Sequence, residues 1–239
     1  MSASSASSAP LARRLRSVAR AILPFPEPES WLDVGTGDAR FPEAARQVFP
    51  YTSLDGLDPT PRVEWARRAE RVEEAHLGRL TDPQITARLR ARYDVVSMIH
   101  HLPRTPDPRA ELRAALAVLR PGGHLLLELP DPQSAFATLL GSRWLPRHRR
   151  LHLLPLAELR AELESQGCAI VTADRRAAHI PRDLPGALFL VLPKSLPTWA
   201  KIPLLAAAKA VEQALGPLLV LTRCSNTYRV IARREASAP

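Results

Sequence analysis

The segment Trp31-Leu-Asp-Val-Gly-Thr-Gly-Asp-Ala-Arg-Phe41 carries the clearest chemical signal in this chain. An apolar strand runs into Asp33, followed by a turn with Gly35 and Gly37 and then the start of an amphipathic helix. Glycines let the backbone turn tightly and approach a ligand, and a helix start leaves N–H groups free to face a crevice. A dinucleotide fingerprint requires Gly-x-Gly-x-x-Gly, and here Arg40 stands in its sixth position, which argues against a nicotinamide or flavin pyrophosphate. Asp58 follows 21 residues after Gly37, at the end of the next strand candidate. A carboxylate in that place can accept hydrogen bonds from both hydroxyls of a ribose. The plainer role for Asp58-Pro59 is to open a turn.

Two further segments complete the series. Tyr93-Asp-Val-Val-Ser-Met-Ile-His-His-Leu102 is a strand that ends on paired histidines, and Val118-Leu-Arg-Pro-Gly-Gly-His-Leu-Leu-Leu-Glu-Leu-Pro130 takes a helix through Pro121-Gly-Gly123 into a strand. In order and spacing, the four segments resemble the class I S-adenosylmethionine-dependent methyltransferases. The first is similar to their motif I, acidic-x-Gly-x-Gly-x-Gly, with Ala39 in the third glycine position. The resemblance covers Trp31 to about Pro130 and extends more loosely beyond Leu151. It implies a Rossmann-like α/β fold: a seven-stranded, mostly parallel sheet with a C-terminal antiparallel strand and a helical lid insertion. It also implies S-adenosyl-L-methionine as cofactor, S-adenosyl-L-homocysteine as product, and a binding set of Asp33, Gly35, Thr36, Gly37, Arg40, Asp58, Pro59, Leu80, Met98 and Ile99. Two departures matter. After the third strand, Gly78-Arg79-Leu80 offers no acidic residue for the adenine amino group, Asp82 being the nearest carboxylate. Where many relatives read Leu-Glu-His, this chain has Ile99-His100-His101, so the glutamate's role does not transfer to His100.

A sulfonium methyl group is already activated, so such an enzyme must chiefly align an acceptor. A general base helps when the acceptor is a hydroxyl or carbon acid. The candidates are His100, His101 and His152, histidine titrating nearest neutrality. Trp144 and Trp199, with the apolar runs 188–192 and 204–208, are expected to wall an apolar acceptor pocket, and Arg143 and Arg147 to hold a carboxylate or phosphate. No zinc spacing occurs, so no metal is expected. Gly-x-Ser-x-Gly is absent, which removes the hydrolase reading.

The elements around these residues alternate, as in an α/β chain. Strands are expected at 30–34, 52–57, 72–76, 93–98, 123–129, 168–173 and 227–233, and helices at 38–49, 62–69, 82–91, 108–119 and 155–166. The 239 residues divide into a disordered tail (1–10), an N-terminal helix (11–28), a cofactor-binding core (29–178), a helical insertion (179–222) and a last strand with tail (223–239). The N-terminal segment has the arginine-rich composition of a transit peptide, but docking on the domain is the preferred reading. Lys201, Lys209 and Glu212 interrupt the apolar run in the insertion, so no membrane span is expected; the run forms either a lid or a homodimer interface. The net charge of +9 comes mostly from scattered arginines, and aromatics are only 5%, unlike a basic groove with stacking rings. Nucleic acid is therefore not the expected partner. Cys168 and Cys224 are too few for a disulfide framework. The expectation is a cytoplasmic O-methyltransferase for a small hydrophobic molecule. The alternatives are an RNA methyltransferase and a non-methylating enzyme of cyclase or elimination type on the same fold.

Overall fold

In the computed structural model the described residues are 8–149, 151–175, 179–222 and 224–235. Both extreme tails, the 176–178 junction and positions 150 and 223 lie outside them. Seven strands form one sheet in the order β3-β2-β1-β4-β5-β7-β6. They are β1 Ser30–Val34, β2 Ser53–Asp58, β3 Ala75–Leu77, β4 Tyr93–Ile99, β5 Leu119–Pro130, β6 Cys168–Asp174 and β7 Thr227–Arg234. The first five are parallel, and β7 runs antiparallel between β5 and β6.

The inner strands are apolar on both sides because both faces of the sheet are covered there, whereas the edge strand β6 is largely exposed. Successive side chains alternate in direction. Leu32, Val96, Leu125 and Leu127 enter one core with Leu112 and Leu116 of the helix α5 (Pro108–Val118). Their neighbours Trp31, Val95 and Leu126 enter the other, against Phe41 and Ala44 of α2 (Arg40–Arg46) and Val18 of α1 (Ser8–Ala19). α1 thus docks on the domain, and it begins at Ser8, inside the segment expected to be a tail. The remaining core helices are α3 (Arg62–Arg68), α4 (Pro83–Arg88) and α8 (Leu156–Ser165), with α6 (Ala135–Leu140) and α7 (Leu145–His148) after β5. Two strands depart from expectation: β3 begins at Ala75 instead of Val72, and β5 begins at Leu119, so Pro121-Gly-Gly123 lies inside the strand and does not end the helix.

The insertion is a pair of helices, α9 (Asp183–Val191) and α10 (Thr198–Leu221). α10 packs along α9, and its buried Glu212 accepts from the Asp183 and Leu184 N–H groups (3.1 and 2.8 Å), supplying the first turn of α9 with a carboxylate cap. α10 has 24 residues, and its most apolar window has a mean hydropathy of 1.5 and is 11% buried, so it is long and apolar enough to cross a membrane by length and composition alone. The charges expected to disqualify it leave it within that limit.

Candidate active site

The carboxyl ends of β1, β2 and β4 open onto a cleft of about 370 Å³, a size suited to a small ligand. After β1 the chain enters the left-handed region at Gly35 (φ +74°), Gly37 (+53°) and Ala39 (+54°). Gly35 is required there twice over. A Cβ at this position would lie 2.1 Å from Nδ1 of His101, whose ring packs on the bare backbone.

The N–H groups of Gly35, Thr36 and Gly37 are already taken within the chain. Gly35 N and Thr36 N donate to the Leu57 carbonyl (2.8 and 3.2 Å), and Gly37 N donates to Asp58 Oδ2 at 2.9 Å. Asp58 Oδ1 also accepts from the Thr60 N–H (2.9 Å) and hydroxyl (2.5 Å). Three of about four acceptor sites on the carboxylate are therefore used. One is left for a ribose hydroxyl, and a turn of the Thr60 hydroxyl frees a second.

Asp33 sits beneath this loop, 4% exposed, at the end of a buried relay in which Trp31 Nε1 donates to Ser97 Oγ (3.0 Å) and Ser97 Oγ donates to Asp33 (2.7 Å). Burial pushes its carboxyl up to about 6, against the pull of Ser97 and the His101 charge. Of the other residues assigned to the cofactor, Pro59, Leu80 and Ile99 line the cleft with Gly35 and Asp58. Thr36 packs its methyl over Gly56. Arg40 is exposed at the start of α2, and Met98 is buried in the core; neither lines the cleft. Asp82 caps α4 through Gln84 N (3.1 Å), so the adenine side offers Leu80 and backbone groups instead of a carboxylate. The residues present fit S-adenosylmethionine: a cleft of adequate size, a backbone approach at Gly35 and a carboxylate with spare acceptor capacity.

The histidines separate into different roles. His101 Nε2 lies 3.2 Å from the buried Glu111 carboxylate, so its ring is part of the cleft wall. His152 is exposed and lines neither cavity, although its N–H donates to the carbonyl of the cavity-lining Pro103 (2.9 Å). His100 occupies the left-handed region (φ +55°), a costly conformation for a non-glycine residue. Its own N–H is tied to the Glu128 carbonyl at 2.8 Å, which bridges the ends of β4 and β5. Nε2 lies 3.3 Å from the Glu128 carboxylate, while Nδ1 is buried with no partner. Two groups face Nε2: the Glu128 carboxylate at 3.3 Å, which only accepts, and Arg14 Nη1 at 3.5 Å, which only donates; the nearer carboxylate places the proton on Nε2 and the free lone pair on Nδ1. Burial lowers the His100 pKa, keeping the ring neutral near pH 7, although Glu128 pulls the other way.

Glu128, fully buried, also pairs with Arg229 at 2.9 Å and with Arg14 of α1. Burial alone would raise its pKa; the His100 hydrogen bond and the Arg14 and Arg229 charges outweigh it and hold the carboxyl well below its usual range. The sequence reading assigned no role to Glu128, Arg14 or Arg229. One signal was present, a lone acid inside the apolar run Leu125–Leu129.

His100 also borders a second cavity of about 100 Å³, walled by Pro103, Leu145, Leu151 and three arginines, Arg104, Arg149 and Arg182. His100 and Arg104 line both cavities. The residues expected to build an acceptor pocket lie elsewhere. Trp144 is buried under Arg147, whose guanidinium sits 5.8 Å from its ring and donates to the Pro132 carbonyl (3.0 Å). Arg143 is exposed, and Trp199 is 78% exposed on the insertion. Asp55, Glu74 and His76 could group around a cation, but Arg92 already bridges Asp55 and Glu74 (3.3 and 2.6 Å), and the Tyr93 hydroxyl donates to Asp55. Both cysteines are free thiols.

A glycine turn after β1, an acid ending β2 and a seven-stranded sheet with one reversed strand define a class I methyltransferase fold. The methyltransferase domain family matches residues 9–173. The chain belongs to that family, whose cofactor is S-adenosylmethionine. It is 28% identical over 127 residues to the ubiquinone biosynthesis O-methyltransferase of Alkalilimnicola ehrlichii, covering 52% of this chain and 49% of that protein. The chain thus spans about half the length of the curated relatives it matches. Among solved structures, it is similar to a putative sarcosine dimethylglycine methyltransferase from Galdieria sulphuraria (TM-score 0.62, 15% identity, 93% and 86% of the two chains). It is also similar to the [4+2]-cyclase SpnF (TM-score 0.59, 18% identity, 94% and 81%). At these identities the structural likenesses establish the fold alone.

Proposed function

We propose that this chain methylates an oxygen of a small molecule with a largely apolar body, using His100 as general base. One observation carries this reading: His100 stands at the junction of the two cavities, its Nε2–H directed at Glu128 and its Nδ1 unpartnered. Asp58 would hold the ribose of S-adenosylmethionine, and Gly35, Leu80 and Ile99 would line it along the cleft; when bound, the cofactor would supply the activated methyl group. An acceptor hydroxyl beside Pro103, Leu145 and Leu151 gives its proton to His100 Nδ1. Glu128 fixes the ring's tautomer and stabilises the imidazolium that forms, as an orienting acid does for a catalytic histidine. The positive φ at His100 aims the ring across the junction, and the Glu128 carbonyl holds it there. The strain is the cost of that placement.

The test uses the full chain with S-adenosylmethionine and a panel of phenols and catechols, reading S-adenosylhomocysteine and methylated product together. Equimolar formation of both is expected. His100→Ala should lower kcat by about 10²-fold or more near pH 7 while leaving S-adenosylhomocysteine affinity unchanged. Equal turnover in that variant would remove the base role.

A further inference from the structure

Resting on that reading, we propose that the acceptor bears an anionic group, a carboxylate or phosphate, seated among Arg182, Arg104 and Arg149 beside His100. The wall of the smaller cavity holds these three arginines and no acidic side chain. Among the described residues no carboxylate ion-pairs with any of them. None of the nearby acids lies within ion-pair distance of these arginines. Glu128 is taken by Arg14, Arg229 and His100. Asp183 accepts from Asn226 at Oδ2 (3.0 Å) while its buried Oδ1 has no partner, and Glu212 serves His179 and the start of α9.

Arg182 is the pointed case. Its Nε and Nη2 are buried and have no hydrogen-bond partner. Two guanidinium donors shut away from water and left unmet are unfavourable unless an acceptor arrives. Burial lowers its pKa, and the Arg14 and Arg104 charges add to this, while Asp183 and Glu212 pull the other way. A planar carboxylate or a phosphate matches the guanidinium fork with two parallel hydrogen bonds. Arg104, on the rim of both cavities, then fixes which end of the acceptor points toward the cofactor cleft. The apolar residues Pro103, Leu145 and Leu151 take the body of the molecule, and the hydroxyl to be methylated falls at His100.

The experiment is calorimetric titration of the full chain saturated with S-adenosylhomocysteine, using 3,4-dihydroxybenzoate, its methyl ester, inorganic phosphate and pyrophosphate. The carboxylate should bind about tenfold or more tightly than the ester. Arg182→Gln should abolish that preference while leaving S-adenosylhomocysteine affinity intact. Arg149→Gln, exposed and free to fold, should reduce the preference about threefold. Tighter binding of phosphate or pyrophosphate than of the benzoate would identify a phosphorylated acceptor; the reverse order would identify a carboxylate. Equal affinity for acid and ester, a preference that survives in a folded Arg182→Gln, or no binding of any anion at millimolar concentration would overturn the proposal. Failure of S-adenosylhomocysteine itself to bind would instead strike the methyltransferase activity.

Discussion

Replacing Glu128 by Gln keeps the shape and one acceptor oxygen but removes the charge on which three groups converge. The carboxylate is inaccessible to solvent and is shared by Arg14, by Arg229 at 2.9 Å and by His100 at 3.3 Å. Removing one partner of a buried ion pair costs about 3–5 kcal/mol. Arg14, with a side chain 22% exposed, can be rehydrated; Arg229, at 10%, is poorly placed for it. The retained amide oxygen offsets part of the loss, so about 3 kcal/mol is expected, the low end of that range. For a chain of this size that lowers Tm by about 6–12 °C. The pH dependence has a definite sign. A carboxyl held below its ordinary value of 4.5 contributes stability that is full above that value and is lost as pH falls through its folded pKa. The gap between wild type and Glu128→Gln should therefore be widest near neutrality and narrow below about pH 4.5. Circular-dichroism melts of both proteins across that range decide it. A midpoint within about 1 °C of wild type near pH 7, or a gap that does not narrow in acid, refutes the reading of Glu128 as the shared counter-ion.

Asp33→Asn should stabilise the cofactor-free protein near pH 7. Burial raises Asp33 from 3.8 to about 6, so its contribution is present below 3.8 and lost as pH rises toward 6. The gain should reach at most about 3 kcal/mol and close near pH 4, with S-adenosylhomocysteine binding weakened; a variant less stable at both pH values would contradict this. Gly35→Ala places a Cβ 2.1 Å from His101 Nδ1 at φ +74°, and should cost about 1–3 kcal/mol in urea unfolding. Adding His101→Ala should recover the steric part, and no recovery would mean that His101 does not press on the loop. His152→Ala should leave turnover within about twofold of wild type, the ordinary result for an exposed side chain away from the site; a hundredfold loss would return His152 to the acceptor site.

The cofactor side of this protein was legible in the sequence because its signals are local. Gly35, Gly37 and Asp58 act through backbone turns and strand ends, and their spacing is set by one strand, one helix and the next strand. Apolar runs between helical segments likewise placed all seven strands to within a few residues, since a strand buried on both faces is apolar at nearly every position. The acceptor side was not legible. Glu128 meets Arg229 because β5 and β7 pair antiparallel with these two residues opposite each other. Arg14 arrives because α1 packs beside them, and Arg182 arrives on the lead-in to an insertion. No short-range rule links positions 14, 100, 128, 182 and 229. Trp199 and Arg143 looked functional by residue type, yet packing left both on the outside. Residue type and local spacing specified the fold and the cofactor loop. Which charges gather around His100, and which of them keep unmet donors, was decided only when strand register and helix docking brought distant segments together.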